Sequence, residues 1–293
     1  MTDWHSITTA ITAATGQPCH PQSCQELGGG CINRAFVLRD GAQAWFVKLN
    51  SARRLAMFTA EAAGLEALAM AQALRVPRPL CAGTAGDEAF LVLEFIAFGR
   101  AGPQSPATAG HQLAALHRQT QERFGWQHDN FIGATPQANA EDRDWARFWQ
   151  ERRLRPQLDL ARARGHGGRL QERGERLLAA CPALLDHDPP PALLHGDLWG
   201  GNLAYGLDGQ AVIFDPATYY GDREADLAMT ELFGGFSADF YAAYREAWPL
   251  EPGYPVRRDL YNLYHVLNHL NLFGAGYLGQ AQAMIDRLLA ALG

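Results

Sequence analysis

Apolar residues at Trp4, Ile7 and Ile11 recur at helical spacing and stop at Gly16, with Pro18 just beyond, which predicts a short opening helix. Three strand-like runs follow: AFVLR (35–39), AWFVKLN (44–50) and AFLVLEFI (89–96), separated by glycines or Asp-Gly pairs. Between the second and third lies MFTAEAAGLEALAMAQAL, an alanine- and leucine-rich stretch whose Glu61, Leu65 and Leu68 share one helical face. Past the Pro/Gly-rich FGRAGPQSPAT the pattern turns helical. TAGHQLAALHRQ, DWARFWQERRLRPQLDLARA, RRDLYNLYHVLNHLNLF and AQAMIDRLLAAL each read as helix, and two short strands interrupt them within LLHGDLWGGNLAYGLDGQAVIFDPA (193–217). The expectation is an α+β protein of two lobes, a small strand-rich one over residues 1–96 and a larger, mainly helical one over 97–293.

Composition narrows the function. A chain of 293 residues that is 47% hydrophobic can bury a sizeable core, and a formal charge of −6 without long runs of like charge argues against nucleic acid or an anionic membrane as partner. With no signal-like N-terminus and no run of about 18 apolar residues, the expected location is the cytoplasm. Five cysteines with no C-x-x-C spacing suggest reduced thiols rather than a disulfide framework or a zinc site. Among 25 basic residues, 24 are arginine and one is lysine, Lys48. A bias toward arginine explains the 24; it leaves unexplained why this position kept lysine.

Phosphoryl transfer from ATP gives a reason. It needs Mg²⁺ and a cation on the phosphates, and a group that receives the acceptor's proton. In protein kinases the catalytic-loop Asp is followed five positions later by a metal-binding Asn, and a second metal-binding Asp ends a nearby strand. HGDLWGGN places Asp197 and Asn202 at that spacing, and AVIFDPA places Asp215 at the end of a β-rich run. Such oxygen donors suit Mg²⁺. Lys48 lies late in its strand, thirteen residues before Glu61, and a compact point charge on a flexible stem serves phosphate oxygens in a way that the planar arginine fork does not.

These motifs, with FVKLN, FTAEAAGLEAL, LAALHR, TPQAN and LYNLYHVLNHLNLFGAGY, resemble the fructosamine kinase (ketosamine-3-kinase) family over nearly the whole chain. The resemblance implies a protein-kinase-like fold akin to aminoglycoside phosphotransferases, and ATP-dependent phosphorylation of the 3-hydroxyl of a ketosamine, free or on a glycated protein. It implies Asp197 as base, Asn202 and Asp215 as Mg²⁺ ligands and Lys48 with Glu61 as the phosphate-clamping pair. It also implies a loop of Gly28, Gly29, Gly30, Cys31, Ile32 and Asn33 over the phosphates, and adenine against the backbone of Glu94, Phe95 and Ile96. That loop, GGGCIN, departs from the protein-kinase glycine pattern, and Asp222 stands where many relatives carry His, a difference expected to bear on substrate preference at most.

Other residues carry competing readings. Asp226 reads as a brace for the catalytic loop or as a plain N-terminal helix acid favoured by the dipole; His195 reads as scaffold. His265 and His269, one turn apart, lack the Glu of H-E-x-x-H and are not expected to bind zinc. The arginines from Arg143 to Arg176 read as a solvated face with room for a substrate contact, and Trp145, Phe148 and Trp149 as core. Trp199, within the catalytic loop, is a candidate floor of the acceptor site, where Asp215 is a second substrate-facing candidate. Cys31, in a loop of backbone N–H groups that favour a thiolate, is a candidate redox switch, so the chain is expected to be a monomer or a redox-linked dimer. The rival enzyme is an aminoglycoside- or choline-type phosphotransferase, weakened by the aromatic, mixed-charge ATYYGDRE. A pseudokinase binding module is disfavoured because Lys48, Asp197 and Asp215 are all present.

Overall fold

The computed structural model describes residues 2–28 and 32–292. The opening helix α1 (Trp4–Thr15) starts where the Asp3 carboxylate accepts from the Ser6 N–H at 3.1 Å, and stops at Gly16 in the left-handed conformation. Five antiparallel strands follow: β1 (Ser23–Leu27), β2 (Arg34–Asp40), β3 (Gln43–Ser51) and, after helix α2 (Leu55–Met70), β4 (Pro79–Ala85) and β5 (Glu88–Glu94), in the order β1-β2-β3-β5-β4. Alternation on β3 divides the sheet. Trp45, Val47 and Leu49 pack with Ile7 and Ile11 of α1 on one face, which leaves Phe46 and Lys48 on the other, toward α2. Phe58, Leu65 and Leu68 of α2 are fully buried in the core on that second face. The sheet thus delivers one lysine into the interior beside the helix that carries Glu61.

The larger lobe starts with α3 (Ser105–His117), followed by the hairpin β6 (Asn130–Ile132) and β7 (Thr135–Gln137). Helix α4 (Trp145–Trp149) runs through a π turn, Gln150–Leu154, into α5 (Arg155–Ala163), and α6 (Arg169–Leu184) packs beside them. The stretch from 192 to 221 is built from four short strands, β8 (Ala192–Leu194), β9 (Leu203–Tyr205), β10 (Ala211–Ile213) and β11 (Tyr219–Gly221), which pair as β8 with β11 and β9 with β10. Helices α7 (Glu224–Leu232), α8 (Ala238–Ala247), α9 (Tyr254–Phe273) and α10 (Leu278–Ala290) complete the lobe. Trp145, Phe148 and Trp149 lie in its core with Tyr261 and Tyr264 of α9. No helix among the described residues is long and apolar enough to cross a membrane.

Two contacts tie α2 to the larger lobe. Gly64 faces the segment after β10 so closely that an added Cβ would sit 3.0 Å from Thr218 Oγ1 and 3.4 Å from the Pro216 ring. Arg54, just before the helix, donates to the carbonyl of Ala134 at the tip of the β6–β7 hairpin, 3.2 Å away.

Candidate active site

Strand β8 ends at Leu194, and the chain turns through His195 and Gly196 into Asp197. The turn is fastened from below by Asp226 in the first turn of α7. One carboxylate oxygen accepts from the His195 N–H at 2.7 Å, the other from the Gly196 N–H at 2.8 Å, and the imidazole of His117 lies 3.2 Å from the first. Burial alone would raise the pKa of Asp226, but the hydrogen bond and charge of His117, the charge of His195 and the Gly196 N–H together hold it below the usual carboxylate range. Gly196 has φ 83°, and a Cβ there would lie 2.1 Å from the Ala217 carbonyl oxygen, so the loop before Asp197 runs backbone against backbone on the segment after Asp215. His195 is buried, its Nε2 3.0 Å from the Phe214 carbonyl and its Nδ1 3.3 Å from the Asp197 N–H, and it bridges the same two segments.

Asp197 therefore follows a turn held by Asp226, His195 and the Ala217 backbone, with its side chain partly exposed. Burial, then the charges of Asp215 and Asp226, push its pKa up to about 7. Asn202 donates its amide to the Asp197 carbonyl at 2.9 Å, which leaves its side-chain oxygen without a hydrogen-bond partner among the described residues. Asp215 follows β10 with φ 57°, a left-handed backbone that side chains seldom adopt, and its half-exposed carboxylate meets Lys48. Asn202 and Asp215 thus offer hard oxygen donors, the chemistry of a divalent-cation site.

Lys48 is 5% exposed and is clasped by two carboxylates, Glu61 Oε1 at 2.7 Å and Asp215 Oδ1. Burial would strip its proton, yet Asp215 and then Glu61 hold it charged, well above the usual lysine value. Glu61 is itself pushed up by burial and by the Asp215 charge, against the pull of Lys48. The Lys48–Glu61 pairing expected from the sequence is present, and the bond to Asp215 was not foreseen.

Of the glycine-rich loop, Gly29, Gly30 and Cys31 lie outside the described residues, while Gly28 and Ile32–Asn33 flank them. Asn50 of β3 secures the far end, donating to the Ile32 carbonyl at 3.1 Å and to Asn33 Oδ1 at 2.8 Å. At the expected adenine edge the structure shows what Glu94 is bonded to. The Glu94 N–H is bonded to the Arg78 carbonyl at 2.8 Å and its carboxylate takes Arg75 and the Arg78 N–H, so of its groups the backbone carbonyl is the one that could meet a base. Phe95 and Ile96 lie beyond the strand. Phe98, which the sequence did not single out, is half exposed and stacks on Phe214, the neighbour of Asp215, at 5.6 Å between centroids.

On the other side of Asp197, Trp199 is 40% exposed and meets Phe233 edge to face at 6.2 Å, and Phe233 lies 5.0 Å from the ring of His269. Backbone contact supports this wall, since a Cβ on Gly200 would come within 2.8 Å of the Gly234 carbonyl oxygen. His265, one turn before His269, is buried with its Nδ1 3.9 Å from Asp197 Oδ1. The signal for it in the sequence was the run of Asn262, His265, Asn268 and Asn271 at helical spacing, all of them buried.

Asp222 is 1% exposed and bonded to Tyr261 Oη at 2.6 Å, to His187 Nε2 at 2.7 Å and to the Glu224 N–H at 3.0 Å. His187, Asp222 and Glu224 lie close enough to hold a metal, but Glu224 is already taken by a bidentate Arg257 at 2.6 and 2.9 Å. Arg153, counted with a solvated face, is fully buried in the π turn. Its guanidinium donates to the Ala138 carbonyl and Asn139 Oδ1 and lies 4.0 Å from the centroid of the Tyr219 ring, because the aromatic faces around it accept a stacked planar cation.

The comparisons with known proteins agree with this geometry. Fructosamine kinase is the family whose profile matches, over residues 3–291. The chain is 52% identical over 287 residues to a protein of Synechocystis sp. named a probable ketoamine kinase, covering 98% of this chain and 97% of that one. It is 44% identical over 272 residues to the chloroplastic protein-ribulosamine 3-kinase of Arabidopsis thaliana, covering 91% and 82%. A crystal structure from Haemophilus somnus described as a fructosamine-3-kinase superposes with a TM-score of 0.91 at 30% identity, covering 98% of each chain. Aminoglycoside phosphotransferase APH(4)-Ia, at 16% identity and a TM-score of 0.58 over 98% of each chain, shares the fold alone. With a full-length profile match and a relative more than half identical, this chain belongs to the fructosamine kinase family.

Proposed function

We propose that the protein is an ATP- and Mg²⁺-dependent kinase that phosphorylates the 3-hydroxyl of ketosamines, the rearranged adducts of sugars with amines. The observation that carries the reading is the convergence of a partly exposed Asp197, the clasped Lys48 and the oxygen donors Asn202 and Asp215, in a chain whose relatives are named ketoamine and ribulosamine kinases. Asn202 and Asp215 would hold the metal, which when bound neutralises phosphate charge. Lys48 is released from Asp215 to meet phosphate oxygens while Glu61 keeps it in place. Asp197 accepts the proton of the attacking hydroxyl, and a pKa near 7 suits a base working at neutral pH. Trp199 and Phe233 form an apolar wall for the acceptor, on the side of Asp197 from which the hydroxyl approaches.

The product's chemistry completes the function. A phosphate on C3 stands next to the C2 ketone. Loss of a C1 proton gives the C1–C2 enaminol, whose electrons expel the C3 phosphate, and water then hydrolyses the resulting imine to free amine and a deoxy-dicarbonyl. No hydrolytic residue is required, so phosphorylation alone leads to deglycation. The test is ATP consumption by purified enzyme across ribulosyl-, erythrulosyl- and fructosyl-lysine, kanamycin and choline. Turnover with a ketosamine, followed by continued release of lysine and phosphate together after the enzyme is filtered away, is the expected result. Turnover confined to kanamycin or choline, or a phosphorylated product stable for days, refutes it.

A further inference from the structure

The backbone of Asp197 is held on every side, but its carboxylate is not. The nearest hydrogen-bond donor to it is the Asn202 amide at 3.4 Å from Oδ2, beyond the usual range for a good bond. No lysine or arginine among the described residues contacts it. A base that must meet a hydroxyl within a few tenths of an ångström needs its carboxylate plane set by something.

His265 is the group in place to do this. It projects from the middle of α9, is 4% exposed, and presents Nδ1 to Asp197 Oδ1 at 3.9 Å, about 1 Å beyond hydrogen-bond length, a gap that a small rotation of the aspartate side chain closes. It is closely surrounded. Tyr264 packs edge-on at 5.2 Å between centroids, and His269 Nδ1 is 2.8 Å from the His265 carbonyl oxygen. Burial, followed by the neighbouring His269, drives the pKa of His265 down to about 3, so at neutral pH the ring is uncharged and carries one N–H. A neutral donor orients a carboxylate without weakening it as a base to the extent that a cation at that distance would.

We propose that His265 is a positioning residue for Asp197, donating Nδ1–H to one carboxylate oxygen when the acceptor is bound and so leaving the other aimed at the hydroxyl to be phosphorylated. The inference rests on the kinase reading above, but not on which acceptor is used. Three substitutions separate it from a packing role: His265→Leu removes the donor, His265→Asn places an amide N–H close to where Nδ1 stood, and His265→Gln places one near Nε2 instead. The readouts are kcat and KM for ribulosyl-lysine and for ATP, the slow hydrolysis of ATP with no acceptor present, and the melting temperature. His265→Leu should lower kcat by about 10- to 100-fold, the range that one hydrogen bond to a charged group is worth, with both KM values within about twofold. His265→Asn should recover kcat to within about threefold of wild type, and His265→Gln should not. If ketosamines are not the acceptor, wild type shows no transfer either, and ATP hydrolysis carries the same comparison, because water uses the same base. Unchanged kcat and hydrolysis in His265→Leu, a loss confined to KM for the acceptor, or an Asn variant as impaired as the Leu variant at equal melting temperature would overturn the proposal.

Discussion

Replacing Asp226 by Asn removes a charge and one acceptor while keeping the shape. The carboxylate serves two backbone N–H groups with different oxygens, and His117 shares the oxygen that takes His195. An amide has one oxygen, so its NH₂ must face a donor. In the milder orientation the NH₂ confronts the Gly196 N–H, which is then buried without a partner at a cost of about 1–3 kcal/mol. The two remaining bonds fall from charge-assisted to neutral strength, roughly another 1–2 kcal/mol together. Relief from burying a charge offsets part of this, and about 3 kcal/mol is a fair expectation. With an unfolding entropy of about 2.1 cal/mol/K per residue, the 293-residue chain carries about 0.6 kcal/mol/K, so the melting temperature should fall by about 5 °C. The freed loop carries Asp197, so kcat should fall as well, with the KM for ATP little changed. Thermal melts and steady-state kinetics on the same preparation check both. A shift under about 1 °C with unaltered kcat would show that Asp226 does not fasten the loop.

Three further outcomes are expected. Asp197→Asn should lower turnover at least tenfold while Mg-ATP affinity measured by calorimetry is retained, whereas Asp215→Asn should weaken Mg-ATP binding itself; equal nucleotide affinity in the two variants would refute the division of roles. A lysine-reactive acyl-phosphate ATP probe should label Lys48, and excess Mg-ATP should block it, while labelling that ATP cannot suppress would place Lys48 outside the nucleotide site. His265 has its pKa lowered from 6.5 to about 3, so it binds a proton on unfolding between those values, and stability falls as pH drops through that window. By the urea midpoint, wild type should lose about 1.4 kcal/mol more per pH unit below pH 6 than His265→Asn, and parallel curves would contradict the buried neutral imidazole.

The sequence was most informative where residue type and spacing carry chemistry. The lone lysine, the Asp-x4-Asn pair and the Asp after an apolar run could be placed because phosphoryl transfer needs those groups in those local structures. It was least informative where packing decides. Strand β1, SCQEL, is exposed along nearly its whole length and has no apolar alternation, and β4 opens with proline and is rich in small residues, so neither announced itself. Helix α6 holds Gly174 and Pro182 amid charge, and its Leu170, Leu177, Leu178 and Cys181 stripe was masked by the arginines. Arg153 was misread because a charged residue is expected in solvent or at a site, and only tertiary structure reveals the carbonyls and ring faces that allow it to be buried.

The seating of α2 has a pharmacological consequence. Many kinase inhibitors exploit a hollow that opens when the helix bearing the conserved glutamate swings outward and its ion pair with the lysine breaks. Here that swing would have to pull Gly64 off Thr218 and Pro216, part Arg54 from the Ala134 carbonyl and leave Lys48 without one of its two carboxylates. These contacts hold the helix inward, against the segment after β10 and the β6–β7 hairpin. A compound designed to wedge behind the helix would have to make its own space against that seating, so selective blockade of this protein is better sought at the aromatic wall of Trp199 and Phe233, which is open to solvent.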